Sequence, residues 1–134
     1  MALLPADEQV ALVAALAETL AAFHAAGVVV GDFNPNNILV TDDGRPRESG
    51  VSPVKICVID LEHARPIGEP PAGPAGTPGY ASPEQLRGEG DGRINDRYGL
   101  GATIAYVATG ADPFYPAGAD DTWSDPARLA DWLG

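Results

Sequence analysis

Apolar residues near the start of the chain recur at the spacing of an α-helix. They lie three or four positions apart, which places them on one face of a helix. These positions are Val13, Leu16, Leu20 and Phe23. Pro5 suits a first helical turn, and Gly27 is a typical residue after a last turn. The pattern therefore predicts a helix over residues 5–26.

Three short apolar runs that follow this helix have the character of β-strands. They are residues 28–30, 38–40 and 54–59, and the last is the strongest strand prediction in the chain. A turn signal at residues 41–44 and a polar stretch up to Pro53 separate the second run from the third. We expect these two runs to pair as a hairpin with a long connection. Cys57, within the third run, is expected to be a small buried apolar residue.

Proline and glycine dominate residues 66–79, which excludes a packed helix or a central strand there. So long a loop is either a linker or a functional segment. Directly after it, Ser82 is predicted to cap a helix whose first residue is Pro83. Gln85, three positions after Ser82, would complete a capping box.

Helical periodicity returns in the last third of the chain. A helix is predicted over residues 96–109, with Asp96 as its N-terminal cap and Gly110 as its end. A last short helix is predicted to start at Asp125. The predicted helices are thus more numerous and longer than the predicted strands, so the expected fold class is α+β and mainly helical.

Composition narrows the range of partners and compartments. The chain has 134 residues, which fits one small domain or part of a larger one, and 45% of them are apolar. The net charge of −11 argues against nucleic acid and anionic membranes as partners. One cysteine excludes an internal disulfide and a multi-cysteine zinc site. No secretory signal and no membrane-length apolar run is present, so a cytoplasmic location is expected.

Three polar segments that could carry chemistry follow one another in the sequence. They are residues 31–37, 59–62 and 76–84. Asp32 precedes Asn37 by 5 positions and Asp60 by 28, and Glu84 follows Asp60 by 24. A carboxylate can orient or accept the proton of a hydroxyl group, and carboxylate and amide oxygens are ligands for Mg²⁺. Taken singly, Asp32 and Asp60 would be interpreted as solvated carboxylates in turns, so it is the ordered set of segments that points to a function.

In this order and spacing, the segments resemble the C-terminal lobe of protein kinases, over residues 20–114. Gly31 to Asn37 is similar to the catalytic loop, in which an Asp is followed after four residues by an Asn. Residues 60–62 resemble the metal-binding Asp-Phe-Gly motif, residues 82–84 resemble Ala-Pro-Glu, and residues 96–101 resemble the start of the long buried helix. The sequence of residues 31–37 is also similar to the corresponding segment of the kinase-like domains of class III and IV lanthipeptide synthetases.

The resemblance implies a C-lobe with short β-hairpins under an active-site cleft, in a partial domain spanning residues 1–134. The activation-segment-like loop would be residues 64–84, and the helix over residues 96–109 would be the buried one. The N-terminal lobe, with its glycine-rich loop and lysine, is expected to be absent from this chain and supplied by a neighbouring segment. We therefore expect little turnover from these 134 residues alone.

The implied reaction of the complete domain is the ATP- and Mg²⁺-dependent phosphorylation of Ser or Thr in a protein or peptide. Asp32 would be the catalytic base, and Asn37 and Asp60 would hold the metal and the nucleotide. Leu39 would lie under the adenine, although without the resemblance it would be interpreted as a core residue.

Other residues have implied roles outside the chemical step. Thr77 would lie in the substrate and activation loop, near the phosphoacceptor. Glu84 and Asp96 would be structural, with Asp96 also bonding the amides of the catalytic loop. His24 is interpreted as a structural residue at a helix end.

Several positions depart from the kinase pattern. Val30 and Gly31 stand where the family has His-Arg, Asn34 replaces a lysine, and Glu62 replaces a glycine. Without that arginine, regulation by phosphorylation of the loop is not expected. These departures favour an alternative, a non-catalytic pseudokinase-like interaction module. A hydrolase that uses Asp32 and Asp60 as a carboxylate pair would leave the segments at 77–84 unexplained.

Overall fold

A computed structural model describes residues 4–42, 54–71, 73 and 75–111. The elements follow in the order α1 (Ala6–Ala25), β1 (Val28–Val29), a 3₁₀ turn (Pro35–Asn37), β2 (Ile38–Asp42), β3 (Val54–Val58), β4 (Arg65–Pro66), α2 (Pro83–Leu86) and α3 (Arg93–Thr109). This part of the chain is helical with two small sheets. The short helix predicted from residue 125 lies outside the described residues.

Helix α1 confirms the first prediction, and it forms one wall of the core. Its buried residues are Leu12, Leu16 and Leu20, while Val13 is only half-buried. They pack with Val30 and Phe33, which lie just before and within residues 31–37. The hydrophobic core thus fixes the segment that carries Asp32.

Strands β2 and β3 form the predicted antiparallel hairpin, with Ile38 opposite Val58 and Leu39 opposite Cys57. Residues on one face, such as Ile38 and Val58, pack against the core. Because successive side chains in a strand point to opposite faces, Leu39 and Cys57 share the other face. That face is exposed: Leu39 is 51% exposed, and Cys57 is also exposed. The expectation of a buried Cys57 and the core interpretation of Leu39 are therefore wrong.

Strands β1 and β4 form a second, two-residue antiparallel sheet in which Val29 lies opposite Arg65 and Val28 lies opposite Pro66. The sequence predicted only loop from residue 66 onward. Proline lacks a backbone N–H and is tolerated at the edge of a sheet, where no donor is required. The next donor along the chain, the N–H of Ile67, bonds the carbonyl of Gly27 at 2.9 Å. This small sheet joins the end of α1 to the segment after Asp60.

Helix α3 begins three residues earlier than predicted. Its N-cap residue is Gly92, and the N–H of Arg93, the first helical residue, donates to Asp91 Oδ1 at 2.9 Å. It ends where expected, at Gly110, whose φ of 72° is left-handed. Asp96 therefore lies inside the first turn and does not cap the helix, because its carboxylate bonds another part of the fold. None of the helices among the described residues is long and apolar enough to cross a membrane.

Candidate active site

The carboxylate of Asp32 lies at the centre of a group of hydrogen bonds. Oδ1 accepts from Asn34 Nδ2 at 2.9 Å and from Thr77 Oγ1 at 2.9 Å. Oδ2 accepts from Asn37 Nδ2 at 3.2 Å, and the same amide donates to the backbone carbonyl of Asp32 at 3.0 Å. The structure thus brings Thr77, from the segment at residues 76–84, together with Asp32 and Asn37, from the segment at residues 31–37.

The backbone of residues 33–37 explains this geometry. Phe33 is 3% exposed and anchors the loop in the core. Asn34 has an extended backbone and caps the following 3₁₀ turn, since its side chain accepts from the N–H of Asn36 at 2.9 Å. Pro35 occupies the first position of that turn, where no N–H is needed. The turn reverses the chain and returns the amide of Asn37 to Asp32.

Asp60 reaches the same region from the end of β3. The N–H of Ile59 donates to the carbonyl of Asn37 at 2.8 Å, which holds the two segments side by side. Asp60 is exposed, and its φ of 58° is the one positive value for a non-glycine residue in the described part of the chain. Such a conformation is unfavourable for a residue with a Cβ and is typical of functional sites.

The oxygens available for a cation come from an amide and a carboxylate. Among the described residues, both side-chain hydrogen bonds of Asn37 use Nδ2, and no donor contacts its Oδ1. The Asp60 carboxylate likewise has no hydrogen-bond donor within those ranges. Among the residues that the structure describes, no cluster of three or more His, Cys, Asp or Glu residues could hold a metal ion. Any metal would therefore complete its coordination with ligands other than side chains of that kind.

The surface beside these groups is apolar and exposed. Leu39 is 51% exposed, Leu61 is 44% exposed and Ile59 is 37% exposed. Leu39 lies on the outer face of the β2–β3 hairpin, and the other two flank Asp60 in sequence. This apolar surface is open to a ligand or to another part of a larger protein.

Asp96 fixes the backbone at the start of the segment that carries Asp32. Its carboxylate is 1% exposed and accepts from the N–H groups of Val30 at 2.8 Å and Gly31 at 3.0 Å. Nε2 of His24 lies 2.8 Å from Asp96 Oδ2, so His24 has a structural contact at the end of α1. These contacts explain why Asp96 does not serve as the cap of α3.

Gln85 was missed as a site residue by the sequence analysis. Its side chain does not complete a capping box but donates to the carbonyl of Gly31. The cap itself is confirmed, because Ser82 Oγ accepts from the N–H of Gln85 at 3.0 Å. Ser82 in turn donates to Asn95 in the first turn of α3. No local sequence signal distinguishes a glutamine that caps from one that reaches a carbonyl 54 residues away.

Glu84 lies half-buried in α2, and its backbone carbonyl accepts from the N–H of Glu89 at 2.8 Å. Burial raises the pKa of the nearby Tyr98 hydroxyl, and the negative charge of Glu84 raises this pKa further. Thr77 combines its side-chain contact to Asp32 with backbone bonds from Tyr80 and Ala81 to its carbonyl. The segment from 77 to 84 is thus a folded part of the site.

Comparison with known proteins identifies the family. A family model for the protein kinase domain matches residues 2–129. The chain belongs to the protein kinase family. It is 37% identical over 118 residues to a probable cAMP-dependent protein kinase catalytic subunit of Encephalitozoon cuniculi, covering 85% of this chain and 33% of that protein.

Two bacterial relatives give the same result. The probable serine/threonine-protein kinase PkwA of Thermomonospora curvata is 41% identical over 107 residues, covering 77% of this chain and 13% of that protein. The serine/threonine-protein kinase AfsK of Streptomyces griseus is 36% identical over 121 residues, covering 83% of this chain and 13% of that protein. This kinase-family chain thus spans about a third or less of the length of these relatives.

Two departures from the kinase pattern have visible structural consequences. Gly31 has a φ of +88°, and a Cβ there would lie 2.3 Å from the backbone oxygen of His63, so a larger residue would have to displace that backbone. Beside it is a cavity of about 490 Å³, lined in part by Arg65 and Gln85. Glu62 is exposed, and its Oε1 lies 3.3 Å from Nε2 of His63. Its carboxylate therefore has a partner on the neighbouring residue.

Proposed function

We propose that this chain provides the catalytic loop and the metal-binding segment of a protein kinase that transfers phosphate from ATP to Ser or Thr of a protein or peptide. The observation that carries the proposal is the hydrogen-bonded pair of Asp32 and Asn37, together with the backbone bond from Ile59, the residue before Asp60, to Asn37. The names of the bacterial relatives, both serine/threonine-protein kinases, support the choice of acceptor.

Asp32 is proposed to orient the acceptor hydroxyl and to receive its proton. A carboxylate offers about four lone-pair directions. Two donors already occupy Oδ1 and one occupies Oδ2, so one acceptor direction remains on Oδ2. A Ser or Thr hydroxyl that donates there would have its oxygen directed at the phosphate. The three existing bonds hold the carboxylate still, which favours transfer through positioning.

Asn37 and Asp60 are proposed to hold Mg²⁺. Both supply hard oxygen ligands without a competing hydrogen-bond donor among the described residues. Mg²⁺ commonly keeps several waters and binds through one or two carboxylates together with substrate phosphates, so this donor set fits it. When bound with ATP, Mg²⁺ neutralises charge on the phosphate oxygens. Leu39 is proposed to contact the adenine from the exposed face of the hairpin.

A further lobe from a neighbouring segment is proposed to close the nucleotide site. In kinases a lysine on a strand pairs with the ATP phosphates. Lys55 is the one lysine among these 134 residues, and it lies exposed on β3, in the β2–β3 hairpin. The exposed apolar side chains of Leu39 and Leu61 support the same proposal, because such surface is commonly covered by a partner.

The test uses a chimera in which the small lobe of a bacterial relative precedes this chain. We expect it to phosphorylate a Ser/Thr peptide, and Asp60→Asn to abolish the transfer. Asp91→Asn is the matched control, since Asp91 is a surface partner of Arg93. Undiminished transfer by the Asp60→Asn chimera would refute the assignment of Asp60 as a metal ligand.

A binding measurement separates this proposal from its alternative. Ligands that bind only the folded state raise its stability, by about 2.7 kcal/mol at a hundred times Kd. ATP with Mg²⁺ should therefore raise the melting temperature of the chimera, and Asp60→Asn should reduce that rise. A chimera that folds, transfers no phosphate and shows no rise would favour the non-catalytic interaction module.

A further inference from the structure

Asn34 stands where the kinase pattern has a lysine, and it is among the most buried polar residues described, at 1% exposure. Its Nδ2 contacts three acceptors: Asp32 Oδ1 at 2.9 Å, the Asp32 carbonyl at 3.2 Å and Thr77 Oγ1 at 3.2 Å. Its Oδ1 accepts from the N–H of Asn36. Every polar atom of the side chain therefore has a partner, and a flipped amide would place oxygen against a carboxylate.

These contacts close a triangle of three side chains, which we call the Asp32–Asn34–Thr77 triangle. Thr77 Oγ1 donates to Asp32 Oδ1 at 2.9 Å and accepts from Asn34. Each member thus bonds both others, and the triangle joins segments that are 43 residues apart. In the part of the chain that the structure describes, no Lys or Arg forms an ion pair with Asp32. Neutral donors alone hold its side chain.

We propose that Asn34 is a positioning residue for the reaction. It fixes the orientation of the Asp32 carboxylate and couples the catalytic loop to the Thr77 segment, through neutral hydrogen bonds in place of a charged side chain. This role rests on the proposed function, because Asp32 matters only if it meets an acceptor hydroxyl. The triangle itself can be measured without any activity.

The first experiment measures the triangle in the 134-residue chain by NMR. Exchange of the Asn34 side-chain amide protons should be slower than that of Asn36, whose side chain is exposed. A net hydrogen-bond free energy of about 1 kcal/mol corresponds to slowing of about fivefold. Thr77→Val should remove much of this protection, whereas Thr77→Ser keeps the hydroxyl and should retain it. Equal exchange at Asn34 and Asn36 would overturn the proposal.

The second experiment measures the coupling to catalysis in the chimera that carries the small lobe of a bacterial relative. Asn34→Asp has nearly the same shape but faces the Asp32 carboxylate with a second one. We expect kcat to fall about 100-fold, the loss that follows small misplacement of reacting groups, with little change in KM. Asn36→Asp makes the same chemical change two residues away and should leave kcat nearly unchanged. Equal kcat values for the two variants would contradict a positioning role.

A double-mutant cycle separates positioning from simple destabilisation. Because Asn34 and Thr77 bond the same carboxylate oxygen, Asn34→Ala and Thr77→Val should together lose little more kcat than the worse single variant. Losses that multiply would show independent action and overturn the proposal. A chimera without any phosphate transfer would refute the proposed function, while the exchange experiment would still decide whether the triangle exists.

Discussion

Gly31 and Gly27 provide a matched pair for measuring how tightly the segment that carries Asp32 is packed. Both have left-handed backbones, with φ of +88° and +81°. A Cβ at Gly27 meets nothing within 4 Å, whereas a Cβ at Gly31 would lie 2.3 Å from the backbone oxygen of His63. Substituting alanine at each position therefore carries a similar backbone cost, but the steric cost differs.

The expected magnitudes follow from these distances. A left-handed conformation costs a residue with a Cβ about 1–2 kcal/mol, which is the whole expected loss for Gly27→Ala. Gly31→Ala would also have to displace backbone by about 1 Å to reach an ordinary contact of 3.4 Å. Overpacking of that kind typically costs about 1–3 kcal/mol. The free energy of unfolding should therefore fall by about 2–5 kcal/mol for Gly31→Ala.

Urea denaturation of the 134-residue chain measures both losses. The difference in free energy comes from the shift in midpoint, provided that both variants keep the m-value of the unsubstituted chain. If Gly31→Ala leaves too little folded protein, the variant can be compared in the presence of a stabilising osmolyte. Equal losses at the two positions would show that the approach of Gly31 to His63 is not a close contact, and the reasoning would fail.

Two further predictions use the same chain. Asp96→Ala leaves the buried backbone N–H groups of Val30 and Gly31 without an acceptor, which costs about 1–3 kcal/mol each, so urea denaturation should show a loss of about 2–6 kcal/mol. A loss no larger than that of Asp91→Ala at the surface would contradict this. The hydrogen bond from Arg93 lowers the pKa of Asp91, so Arg93→Met should return this pKa toward 3.8 in an NMR titration. Because the folded-state pKa is lowered, the pair stabilises the fold above the unfolded pKa and ceases to do so as pH falls through the folded value; an unchanged Asp91 titration in the variant would show that Arg93 is not the cause.

Local residue patterns predicted the helices and strands that depend only on neighbouring residues. The helical period gave α1 within a residue or two, and the β-branched run at 54–59 gave β3 and its partner. The start of α3 was misplaced because Asp before an apolar stripe is a typical cap. In the structure, the Asp96 carboxylate instead satisfies N–H groups 65 and 66 residues earlier in the chain. A periodic pattern contains no information about such a distant partner.

For the candidate site, the sequence predicted only the residues that belong to recognisable motifs. The sequence selected Asp32, Asn37 and Thr77 because their spacing matched a known family, and the structure brings them into contact. It gave no indication that Asn34 would close a triangle or that Gln85 would bond Gly31. Both are contacts between distant segments made by common polar residues, and composition does not distinguish them from surface amides.

The attachment of Gly31 has a consequence for the order of folding. A residue without a side chain can be held only through its peptide groups, and in this loop the N–H is bound by Asp96 and the carbonyl by Gln85. Both partners are made more than fifty residues later during synthesis. The loop that carries Asp32 should therefore acquire its shape late, after α3 has docked against α1, and this loop should be unformed in a nascent chain that ends before residue 96.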